Sequence, residues 1–184
     1  MNLESELLRE NSRRQADRVV AWVGGDRRRL KELMRVFLTG ERVPAQRAAH
    51  AVGIFWEKHP EMITPYLGRM FARMQEEGIH DAVRRCVVRG LQCVEIPPGM
   101  LGPLANACFE YLSAVETPVA IRCLSMTVLA RIAEKEPDLW GELRLVIEQH
   151  LPYAGAAFRA RAKQVLKVSL LRQESIEREK RERS

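Results

Sequence analysis

The sequence is poor in what most catalytic and metal-binding proteins need. Its 184 residues contain only four cysteines, Cys86, Cys93, Cys108 and Cys123, with no Cys-x-x-Cys pair and no histidine at metal-ligand spacing. That pattern excludes the usual zinc frameworks and leaves small buried core residues as the reading of the thiols. There is no Gly-x-Ser-x-Gly elbow, no glycine-rich loop running into Lys-Ser or Lys-Thr, and no His-Glu-x-x-His. The common hydrolase, nucleotide-binding and metallopeptidase sites are therefore absent, and no cofactor is expected. The four histidines, His50, His59, His80 and His150, are scattered, and each reads as structural or solvated. No apolar run approaches the ~18 residues of a membrane span. Acidic residues open the chain where a secretory signal needs basic ones, so a cytoplasmic protein without a membrane partner is expected.

What is present is helix-forming. Hydrophobic residues make up 46% of the chain and aromatics 6%, with many Ala, Leu, Val and Arg. This composition suits helix-on-helix packing, and the expectation is an all-α protein. A chain of this length buries roughly 70% of its unfolded surface without staples.

A periodic frame organises the sequence. Arg84 is followed at three, six and seven residues by Val87, Gly90 and Leu91. Arg13 leads Ala16, Val19 and Val20; Arg47 leads His50, Gly53 and Ile54; Arg122 leads Ser125, Val128 and Leu129; Arg159 leads Ala162, Val165 and Leu166. The arginines are 34, 37, 38 and 37 residues apart, the period of a stacked two-helix repeat. Between them, Leu30, Leu33, Met34 and Phe37 form a helical stripe after an Asp26 N-cap, and Gly24-Gly25 stops the preceding helix. That preceding helix, from about Leu3 to Val23, lacks a partner before it and reads as a cap. Pro44 and Pro118 open two Arg-led helices. Pro65 and Pro103 sit 38 residues apart in the helices between, and Gly141 takes the matching place 38 further on.

This pattern resembles the HEAT-like repeats of the armadillo-type fold over roughly Ser12 to Leu171. The resemblance implies a right-handed α-α superhelix of about four helix pairs plus an N-terminal capping helix, with the Arg-led second helices lining the concave side. His50 and Val87 stand where such repeats prefer alanine, and the usual turn aspartate is clear only at Asp81. An adenylosuccinate lyase, by contrast, needs a far longer chain and a Gly-Ser-Ser-x-Met-Pro-x-Lys-x-Asn loop absent here.

Charge separates by helix type. The five Arg-led segments hold 14 Lys and Arg against Asp17 and Asp81, whereas 97–116 and 134–151 are acidic on balance. With core positions at three, six and seven after each arginine, Arg14, Arg18, Arg85, Arg89, Lys163 and Lys167 turn outward. Together with Arg122 and Arg131 they are the candidate anion- or partner-binding residues. A basic concave groove fits an acidic protein or peptide, which makes the first reading a non-catalytic binding or scaffold module. The alternative is nucleic acid, in the manner of HEAT-like DNA alkylation-repair glycosylases, for which Asp17 and Trp22 would be the carried-over pair. The same basic residues are also what a solvated helix face carries, and the phased arginines Arg13, Arg47, Arg84, Arg122 and Arg159 read as structural. Residues 1–171 are expected to form one domain. The last residues, 172–184, pair Glu174 with Arg178, Glu177 with Arg181 and Glu179 with Arg183 at helical spacing, as a charged helical or disordered tail.

Overall fold

The computed structural model describes residues 2–182, and the side chains of residues 2–171. The described residues are helical, joined by turns, with no strand among them. The chain forms two compact units, Met1–Ile96 and Pro97–Ser184.

In the first unit, α1 (Leu3–Arg9) and α2 (Arg13–Val23) replace the single helix expected from Leu3 to Val23. Ser12 is responsible: its hydroxyl accepts from the Gln15 N–H at 3.1 Å and restarts the helix there. The freed α1 folds back on α2 and α4 and buries Leu3 and Leu7, so the Arg13 helix does have a partner. Gly24 then closes α2 at φ 50° and ψ −130°, a conformation open to glycine, and donates to the Val20 carbonyl. The Asp26 carboxylate caps α3 (Arg27–Thr39), whose Leu30, Leu33, Met34 and Phe37 are buried as the stripe predicts.

Helix α4 (Arg42–Lys58) packs against α1, α2, α3 and α7. With neighbours on several sides it buries Ala48, Ala51, Val52 and Phe55, positions that the phased frame leaves outside. Its solvent-facing strip is displaced accordingly, and His50, at the frame's third position, is exposed. The next helix is broken around Pro65 into α5 (Pro60–Ile63), a tight turn over Thr64–Tyr66, and α6 (Leu67–Met74). Helix α7 (Asp81–Gly90) ends the unit's helical part. Gly90 lies against the ring of the fully buried Trp56, close enough that a Cβ would fall 2.1 Å from the ring.

The second unit pairs α8 (Pro98–Ser113) with α9 (Val119–Lys135), and α10 (Leu139–His150) and α11 (Ala156–Glu182) also pack on α9. Ile121, Ser125, Val128, Leu129 and Ile132 carry the α9 core, and Phe158, Ala162 and Val165 that of α11. The ion pairs expected in 172–184 lie outside the described side chains.

Two of the phased arginines close their own helix hairpins, and a third bonds within the connection just before its helix. Arg84 donates to the carbonyls of Met74, Glu76 and Ile79 at 3.0–3.2 Å, where α6 ends. Arg122 donates to the Leu112 carbonyl at 2.9 Å, near the end of α8, and its guanidinium lies 4.8 Å over the Phe158 ring. Arg159 reaches the Ala154 carbonyl at 2.6 Å. A guanidinium at a helix C-terminus satisfies carbonyls that have no partner further along the helix. Arg13 is exposed beside Asp17, and Arg47 has two buried N–H groups without a partner.

Cys86, Cys108 and Cys123 are buried, while Cys93 is exposed, contrary to the uniform core reading. Burial pushes the Cys86 and Cys108 thiols up to about 12. Since their folded values lie above the ordinary 9.0, the associated stability is complete below about pH 9 and is lost as pH climbs toward 12. A thiol reagent at neutral pH is expected to label Cys93 promptly and the other three at the rate of unfolding. Melting temperature should fall on titration above pH 9, less steeply in Cys86→Ala; fast labelling of Cys86 would contradict its burial.

Candidate functional site

A groove of about 370 Å³ runs across α2, α4 and α7 in the first unit. Its floor is set by the displaced outer strip of α4. Gln46, His50, Gly53 and Glu57 fall at helical spacing on one line of that helix, and Gly53 supplies no side chain to fill the space. Arg85 and Arg89 rise from one side on α7, and Asn11 and Arg13 border the other. Cys86 also lines it, but a thiol held near 12 is not a nucleophile at neutral pH.

The charges in the groove are partly committed. Arg13 holds both Asp17 carboxylate oxygens at 3.1 Å, and Arg89 pairs with Glu57. Arg85 is exposed and makes no ion pair or hydrogen bond among the described residues. His50 sits between. Although His50 is solvent-accessible, partial desolvation between the neighbouring helices disfavours its protonated form, the Arg13 and Arg85 charges disfavour it further, and Asp17 offsets them in part, so its value lies below the ordinary 6.5. The imidazole is thus neutral at pH 7, and the groove offers one free guanidinium, two paired ones, a neutral ring and two amides. That set can accept a carboxylate or phosphoryl oxygen without a buried counter-charge to displace.

Of the residues singled out from the sequence, Arg85 and Arg89 are brought together here. Arg14 is exposed on α2 outside the groove lining, and Arg18 turns toward Glu6 of α1 and Glu10 just after it, bonding Gln15 as well. In the second unit, Lys163 and Lys167 are exposed on α11, Arg131 is half-buried with a partner of its own, and Arg122 is committed to Leu112 and Phe158. His50, Gln46 and Asn11 were not foreseen as lining. The available signal was Gly53, which marks where two helices leave a gap above the backbone.

The tryptophans take other roles than base stacking. Trp56 and Trp140 are buried. Trp22 is half-buried, with the Arg29 guanidinium 5.4 Å over its ring and bonded to its carbonyl at 2.7 Å. Among the described residues, no three His, Cys, Asp or Glu side chains converge as a metal cage requires, and no helix is long and apolar enough to cross a membrane.

In comparison with known proteins, a family model described as HEAT repeat domain matches residues 3–169, nearly the whole chain. No curated protein and no solved structure matches.

Proposed function

Because the chain belongs to the HEAT repeat domain family, whose repeats commonly serve as protein-interaction scaffolds, we propose that it is a binding module that receives an acidic peptide in the α4–α7 groove. The observation that carries this reading is Arg85, an exposed guanidinium without an acid partner at the rim of a polar groove. An acidic side chain would bind Arg85 directly and share Arg89 with Glu57.

The groove's own carboxylates favour a peptide over a nucleic acid at this place. Glu57 lines the groove and Asp17 stands beside it on Arg13, so a continuous phosphate track would meet like charge, whereas a peptide brings backbone N–H groups that Glu57 and the Gln46 amide oxygen can accept from. The burial of Trp56 and Trp140, and the Arg29 cover on Trp22, leave none of the tryptophans as a stacking platform at this groove.

The test is titration of a fluorescent Glu-rich peptide. Reversing both arginines, Arg85→Glu with Arg89→Glu, should weaken binding by about tenfold or more, chiefly through charge complementarity. Helicity and melting should be unchanged, since both side chains are exposed. Unchanged affinity in the reversed protein, or no binding by the parent at low salt, refutes the groove as the binding site.

A further inference from the structure

We propose that the exposed side of α3, with Tyr66 and Arg69 beside it, is a contact surface for a nucleic-acid backbone, separate from the α4–α7 groove. The sequence pattern assigns the basic character to the Arg-led helices. Yet α3 is itself strongly basic: Arg27, Arg28, Arg29, Lys31 and Arg35 against Glu32.

The arrangement is unfavourable for the helix in two independent ways. Arg27, Lys31 and Arg35 follow one another at four-residue spacing, where like charges repel along a helix face. Arg27, Arg28 and Arg29 fill the first turn, where the helix dipole favours acids, and that turn contains no acid. The neighbouring acids do little to relieve it. The Asp26 carboxylate is held by the N–H groups of Arg28 and Arg29 and by the Arg29 side chain, which itself covers Trp22. Arg35 pairs with Glu4 at 2.8 Å. Glu32 and Glu61 lie along the same surface. Arg27, Arg28, Lys31 and Arg69 are exposed and make no ion pair among the described residues.

The surface also has a shape. A groove of about 350 Å³ lies between α3 and the Tyr66 turn, lined by Arg28, Lys31, Glu32 and Arg35 of α3 and by Arg69 and the half-buried Tyr66. Cations flanking an accessible aromatic ring fit a chain of phosphates carrying bases. A lipid surface fits less well. None of the large apolar side chains that stand exposed among the described residues lies on α3, α5, α6 or the turn between them, so nothing here would enter a bilayer.

The experiment titrates the whole protein against a fluorescent DNA duplex and the matching single strand between about 50 and 200 mM salt. Three exposed cations are neutralised together as Arg28→Gln, Lys31→Gln and Arg69→Gln. At the lower salt this variant should bind about tenfold more weakly or worse. Its plot of log affinity against log salt should be flatter by about 2–3, at roughly 0.9 per lost phosphate contact. A second variant, Arg27→Gln with Arg28→Gln, should melt at or above the parent temperature while losing affinity, because it relieves the repulsion at the helix start. The groove variant Arg85→Glu with Arg89→Glu should retain nucleic-acid binding in full. The proposal is overturned by absence of binding at about 50 mM salt, by unchanged affinity in the triple variant, or by loss in the groove variant instead. Tighter binding to vesicles of anionic lipid than to either nucleic acid also overturns it.

Discussion

Gly90→Ala should lower the melting temperature by roughly 6–12 °C, at about 3 kcal/mol and 2–4 °C per kcal/mol for a chain of this size. On helix propensity alone the substitution would stabilise, since alanine is the better helix former. Contact decides otherwise. The added Cβ would lie 2.1–2.4 Å from three ring carbons of Trp56, and that ring is fully buried beside a cavity of only about 30 Å³. Gly68→Ala is the internal control, because Gly68 is helical, exposed and has nothing within 4 Å of its Cβ position. It should stabilise by about 0.5–1 kcal/mol. Opposite signs at two helical glycines of the same unit, read by calorimetry, would establish that the ring is the cause. In a Trp56→Leu background the Gly90→Ala penalty should shrink, and a penalty that persists there would point to the backbone instead.

Arg84→Ala is expected to cost about 2 kcal/mol, as the loss of charge-assisted hydrogen bonds usually does. The guanidinium serves Met74, Glu76 and Ile79 at once, and its removal breaks three hydrogen bonds within one connection. Arg84→Lys should restore little, because an ammonium cannot span three acceptors as a planar fork does. The phased counterpart Arg13→Ala should change stability by about 0.5 kcal/mol or less, since its pair with Asp17 is exposed. Urea midpoints for the three variants test the contrast, and equal costs at Arg84 and Arg13 would remove the distinction between a closing arginine and a surface one.

That contrast shows how far the sequence could be read. The frame of residues after each arginine locates buried positions well: Val19, Val87, Leu91, Val128, Leu129 and Ala162 are all in the core. It works because a repeat constrains spacing, and spacing is visible in one dimension. It misplaces His50, because the orientation of α4 depends on four neighbours that no local pattern reports. The break at Ser12 was hidden for a related reason: a serine between polar residues is a weak stop until α1 has somewhere to pack. Arg85 and Arg89 were legible as outward-facing, but their meeting with Arg13 and His50 across α2, α4 and α7 is a matter of docking. The cations of α3 are plain in the sequence. Their lack of acid partners is not, because it depends on which carboxylates the fold has already engaged.

The closing arginines also bear on how such a chain can grow. Arg84 and its first acceptor Met74 are ten residues apart, and so are Arg122 and Leu112. Donor and acceptor thus travel within one short stretch of gene, and a duplicated segment would arrive with its own latch. A new hairpin of this kind would carry a closing contact within itself, which makes the hairpin a natural unit of gain or loss.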